Sequence, residues 1–172
     1  MRLYRSRIPA IATKIVATLV ADGDIEINRS RLDEVELDIK SVLDEYLRQE
    51  NILLNAVRDH MEKHHLPYQE FGKIKKQLAE ETNFPTGDDS FFWLANQIIE
   101  SFMINESVEE VFAADNLLRR KIIQVFRENL VNDDDLEREA RNRIKNISED
   151  SPEWNLEFQK ALKLVRERRG LK

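Results

Sequence analysis

Cysteine is absent from the chain, and four glycines and four prolines are its only strong breakers in 172 residues. Without cysteine there is no disulfide framework and no thiolate chemistry, and the composition fits a reducing compartment such as the cytoplasm. The scarcity of glycine and proline argues against many short strands joined by tight turns and favours long helices. No apolar run reaches the roughly 18 residues that a membrane span needs, so no membrane association is expected. The basic opening, Met1 to Arg7, precedes an apolar stretch over residues 8–21. Lys14 and the threonines fall inside that stretch and its apolar positions follow a helical period, which reads as a structural helix and not as a signal peptide.

A large excess of positive charge is lacking too. The net charge is −6. Residues 1–84 hold 13 basic and 15 acidic side chains, and residues 85–172 hold 14 and 18. Neither half is a polycation, which weakens the case for general nucleic-acid binding. No glycine-rich phosphate loop and no motif around a serine nucleophile occurs, and none of the many carboxylates is singled out by its setting. No catalytic residue and no cofactor is therefore expected, and the chain reads as a non-enzyme.

What is present is a repeat. Shifted by 83 residues, positions 11–64 align without a gap on 94–147 and give nine identities in 54 pairs. Ile39, Val42, Glu45, Leu47, Leu53 and Arg58 fall on Ile122, Val125, Glu128, Leu130, Leu136 and Arg141, and many other pairs are conservative, such as Val35 with Leu118, Leu43 with Phe126 and Met61 with Ile144. The expected fold is all-α: two tandem four-helix repeats, 1–84 and 85–172, packed as a pseudo-symmetric helical body. In the first repeat, Ser6 is placed to cap a helix that Asp22-Gly23 stops. A second helix begins near Ser30, a third is capped by Asn51, and a fourth follows Pro67. The second repeat places its helices near 90–104, 113–131, 134–147 and 152–169. The last opens with Ser151-Pro152-Glu153 and ends at Gly170. Asp24-Ile25-Glu26-Ile27-Asn28 alternates like a strand and Ser107 to Val111 does so weakly, so the two form either a short two-stranded ribbon or extended loops.

Four sets of residues stand out. The helix around Phe91, Phe92 and Trp93 is apolar nearly all round, so it must be covered on several sides. Packing against the first helix satisfies that, and a protein partner or homodimer surface satisfies it as well. Arg2, Arg5 and Arg7, then Arg119, Arg120 and Lys121, then Arg166, Arg168, Arg169 and Lys172, are basic clusters that would hold a phosphate backbone if they met in space. Glu45 with Arg58, and Glu128 with Arg141, recur at the offset and suggest an ion pair in each repeat. His60 and His64 share a helix face, but a zinc site needs further ligands and the equivalent positions are Arg143 and Ile147. Asp22 to Asn28 resembles the start of a calcium loop, yet its sixth and twelfth positions are Ile27 and Asp33 where glycine and glutamate are required. No metal site is expected.

Several short motifs carry a resemblance. Met1-Arg2-Leu3, Ile8, Ala12, Ile15-Val16, Leu19, Asp22-Gly23, Ser151-Pro152-Glu153-Trp154 and Arg169-Gly170 resemble bacterial domain-of-unknown-function family five hundred and seven, in a tandem form. The chain departs from that pattern after His65, which no Ser-Pro-Glu-Trp follows, and at Asn105-Glu106, where the first repeat has Asp22-Gly23. The resemblance implies a helical protein of the bacterial cytoplasm and supplies no activity and no site. The expected role is a non-enzymatic protein-interaction module. The alternative is a nucleic-acid-associated accessory protein that uses the arginine clusters.

Overall fold

The computed structural model describes residues 3–130, 133–144 and 152–171. Among them are seven α-helices and one two-stranded ribbon, and the fold is all-α. The chain forms two compact units, Pro9–Glu128 and Met1–Ile8 with Asn129–Lys172. The larger unit runs across residue 84, the expected boundary between repeats. The ribbon and the contact between the second and fourth helices tie the residues before that position to those after it.

In the larger unit, α1 (Ile8–Ala21) buries Ile11, Ala12, Ile15, Val16 and Leu19, a stripe at helical spacing. It closes with the Asp24 amide donating to the Leu19 carbonyl and the Gly23 amide to the Val20 carbonyl. That pair of hydrogen bonds requires a left-handed residue, which Gly23 supplies at φ 70°. Strand β1 (Ile25–Ile27) follows, then α2 (Leu32–Lys63). Asn28, not Ser30, caps the turn before α2, its side chain accepting from the Ser30 amide at 3.0 Å.

The expected break at Asn51 is absent. Helix α2 is one rod of 32 residues, roughly 48 Å long. No glycine or proline interrupts it, and its buried stripe of Val35, Ile39, Leu43, Tyr46, Leu53, Leu54 and Val57 runs through the position in phase. Helix α3 (Phe71–Glu81) packs against its far end, where Leu53, Val57, Ile74 and Ala79 form a cluster. Helix α4 (Asp88–Ile104), strand β2 (Val108–Val111) and α5 (Asp115–Asn129) then repeat the order helix, strand, helix.

The ribbon forms. Ile25 pairs with Val111, Glu26 with Glu110 and Ile27 with Val108, antiparallel, with an irregularity between Glu26 and Ile27. Other contacts recur at the 83-residue offset. Thr13 donates to Glu36 at 2.9 Å, and at the equivalent positions Arg119 donates to Asn96 at 2.7 Å. Lys121 donates to Asp22 at 2.6 Å, and at the equivalent positions Asn105 donates to Asp38.

In the smaller unit, α6 (Asp133–Arg141) packs on α7 (Pro152–Arg168). Leu136, Ala140, Phe158, Leu162, Val165 and Leu171 form its core with Tyr4. The Ser151 cap expected for α7 lies outside the described residues.

Candidate functional site

The face of α5 turned away from the core is set by the face turned in. Leu118, Ile122, Val125 and Phe126 are buried, and Phe126 stacks on Phe91 of α4 with ring centroids 6.1 Å apart. Asn116, Arg120, Gln124 and Arg127 are left pointing outward along one stripe. With Phe92 of α4, Arg119 and Ile123 they line a groove of about 550 Å³. Phe92 is 50% exposed, and the Arg119 guanidinium lies 4.6 Å from the centre of its ring. The Arg119 bond to Asn96 fixes that geometry. Arg120 and Arg127 pair with no carboxylate among the described residues, so both remain available to a ligand. An apolar floor with three guanidiniums around it suits a partner that offers a carboxylate or phosphate beside an apolar group.

The structure splits the sequence-defined sets. Of the three consecutive aromatics only Phe92 opens to solvent. Phe91 is core, and Trp93 is half-buried with its ring 6.1 Å from Tyr46. Helical geometry dictates this, because neighbouring residues point about 100° apart and cannot form one surface. Lys121 leaves the cluster of Arg119 and Arg120 in the same way. Its ammonium donates to Asp22 at 2.6 Å and to Asp24 at 2.5 Å, and these two bonds raise its pKa. Asp24 is buried, so this lysine neutralises a charge that water cannot reach. We expect Lys121→Met to lower the melting temperature by several degrees, and Asp22→Asn with Asp24→Asn to restore most of the loss. A thermal melt of the three proteins measures this; an unchanged midpoint for Lys121→Met would contradict it.

At the position 83 residues before Lys121, Asp38 accepts from Asn105, while Ser107 donates to Glu34 at 2.8 Å. Burial raises the Asp38 pKa, the Asn105 bond opposes that rise, and neighbouring Glu34 adds to it. The basic residues near the chain ends fall in the smaller unit. Arg5, Arg7 and Arg168 are exposed, Arg166 is half-buried, and Arg169 pairs with Glu139 at 2.8 Å. Tyr4 shares a cluster with Val165 and Leu171, so Arg5 and Arg7 are brought near the end of α7. Arg2 and Lys172 lie outside the described residues.

The ion pairs expected from Glu45, Arg58, Glu128 and Arg141 take other partners. Glu45 and Arg58 sit on the same continuous helix, about 20 Å apart along its axis, and cannot meet. Glu45 binds Arg48 at 2.7 Å and Gln49 at 2.8 Å, which hold its pKa down to about 2. Arg58 donates to Asn55. Glu128 accepts from Gln124, and Arg141 pairs with Glu137 while lying 5.7 Å over the Phe158 ring. Each charge is satisfied one turn away on its own helix. The ring centroids of His60 and His64 lie 4.5 Å apart with the rings tilted by 42°, and among the described residues no group of three or more side chains is placed to hold a metal ion.

The family follows from the whole chain. A family model described as "Protein of unknown function (DUF507)" matches residues 1–171. The chain belongs to the DUF507 family. The match covers the larger and the smaller unit in one stretch, so every element described here is part of the family's domain. No curated protein matches the sequence. Among the described residues of this DUF507 chain, no helix is long and apolar enough to cross a membrane.

Proposed function

We propose that this DUF507 protein is a non-enzymatic interaction module of the bacterial cytoplasm, and that it engages a protein partner through the groove between α4 and α5. One observation carries the reading: Phe92 stands half-exposed under Arg119, with Arg120 and Arg127 open beside it. Aromatic and arginine side chains in a partly enclosed site are the groups that dominate protein interfaces. The ring supplies apolar area at small entropic expense, and a guanidinium binds a carboxylate through two parallel bonds.

A long polyanion suits the groove less well. Residues 9–128 carry 14 basic and 23 acidic side chains, so the unit around the groove has net charge −9. Such a field repels nucleic acid at long range, while a single acidic group can still reach the arginines at contact distance. The nucleic-acid reading is favoured instead by the smaller unit, where 13 basic residues face 10 acidic ones and Arg5 and Arg7 approach the end of α7. The recurrence of two hydrogen-bond pairs at the 83-residue offset supports a tandem duplication as the origin of α1 to α5.

A pull-down from native lysate, with and without nuclease, separates the readings. A partner that survives nuclease and is lost with Arg120→Glu and Arg127→Glu is expected. Partners that vanish with nuclease, and that the two substitutions leave in place, would move the function to nucleic acid.

A further inference from the structure

The two open arginines of the groove stand at a fixed spacing with its apolar floor between them. Helices α4 and α5 run antiparallel, because Phe91 meets Phe126 while Asn96, farther along α4, meets Arg119, earlier on α5. Phe92 therefore stands beside the middle of α5, where it lines the groove together with Ile123. Arg120 precedes Ile123 by three residues and Arg127 follows it by four, so all three share one face of α5. Arg119 is engaged by Asn96 and by the Phe92 ring. Arg120 and Arg127 are exposed and pair with no carboxylate among the described residues. Among those residues no acidic side chain lines the groove. Seven residues of helix set the two arginine positions about 10.5 Å apart. Along one line the face runs cation, apolar group, cation.

We propose that the α4–α5 groove takes a helix of another protein, one that carries two carboxylates seven residues apart and an apolar side chain between them. This rests on the groove being a protein-binding face, and it names the form and chemistry of the partner. The spacing selects the helix. Residues seven apart on an α-helix return to the same face at about 10.5 Å, the separation of Arg120 and Arg127. An extended segment covers that distance in three residues at roughly 3.4 Å each, and three residues on, its side chain points to the opposite face. Only one of its carboxylates would then face α5. On the helix, the residue three or four positions along lies between the two acids and meets Phe92 and Ile123. Each carboxylate is held by a guanidinium that offers two parallel donors. Two carboxylates suffice, so the partner need not be a polyanion, which the net charge of −9 over residues 9–128 would repel.

The test is fluorescence anisotropy of the full chain with two labelled alanine-based peptides of about 18 residues, long enough to hold a helix and matched in composition and helix content. One carries glutamates at i and i+7 with leucines at i+3 and i+4. The other moves the second glutamate to i+5, about 140° round the helix, so that a single acid faces α5. The first is expected to bind several-fold more tightly, the effect of one exposed ion pair. Arg120→Glu with Arg127→Glu should abolish that preference. The same variant should instead bind a peptide with lysines at i and i+7, which also shows that it is folded. Absence of binding, equal binding of the two isomers, binding that the reversals leave unchanged, or failure of the lysine peptide on the reversed variant overturns the proposal. If the peptides fail while a nuclease-resistant protein is still lost from the lysate with the same reversals, the groove remains a binding face and only the form of its occupant was misassigned. If that partner is missing as well, the reading of the groove fails with it.

Discussion

Phe126→Ala is expected to destabilise the fold by about 3–5 kcal/mol. The side chain is fully buried and stacks on Phe91, so its removal loses the transfer free energy of a whole ring and leaves a cavity between α4 and α5. Set against a typical net stability of roughly 5–15 kcal/mol, that is a third or more of the total. The effect also reaches the candidate site. Phe126 and Leu118 on the inner face of α5 are what hold Asn116, Arg120 and Arg127 outward. Urea denaturation of the full chain should show the shift in midpoint, and binding at the groove should weaken in parallel even though Phe126 touches no ligand. A loss below about 1 kcal/mol would mean that the α4–α5 contact is not the packed core described here.

The second large effect depends on pH. Tyr46 is 6% exposed, lies against Phe84 at 5.0 Å and Trp93 at 6.1 Å, and donates its hydroxyl to the Pro85 carbonyl at 3.2 Å. Burial pushes its pKa up from 10.0 to about 12. A raised folded-state pKa favours the protonated form, so the stability this group contributes is complete below pH 10. It is then lost as the pH climbs toward 12. The loss amounts to roughly 2–3 kcal/mol at about 1.4 kcal/mol for each pH unit. Tyr46→Phe removes the titration and gives up one hydrogen bond, at about 1 kcal/mol. The wild-type chain should therefore be the more stable of the two at neutral pH and the less stable above about pH 11. Parallel stability curves across pH 9 to 12 would contradict this placement of Tyr46.

Much of the fold was legible because helices write their period into the sequence. The helical period of the apolar residues in α1 and the stops at Gly23 and Gly170 correspond to the structure. Two other helix ends were not read. His65 at φ 51° and Asn83 at φ 52° close α2 and α3 with the bonding pattern that Gly23 makes, and neither residue type announces it as glycine does. Asn51 misled in the opposite direction. A residue that can cap a helix caps one only where the core stripe goes out of phase, and that of α2 does not.

The candidate site was half legible. Arg119 and Arg120 belong to it, but Lys121, their neighbour, points to Asp22 and Asp24, and a run of basic residues cannot show which way each one turns. Arg127 was missed although it lies seven residues beyond Arg120, two turns along the same face. Ion pairing between helices was inferred from recurrence of Glu45, Arg58, Glu128 and Arg141. Partners one turn away on the same helix were nearer, and proximity decided.

The most direct measurement is photo-crosslinking in the native cell, with a photoreactive phenylalanine analogue in place of Phe92 and, as a control, in place of the similarly exposed Tyr68. A discrete protein adduct from position 92 is expected, absent from position 68 and lost when Arg120→Glu is added. No adduct at 92, an adduct removed by nuclease, or equal labelling at the two positions would contradict the assignment of the α4–α5 groove as a protein-binding face.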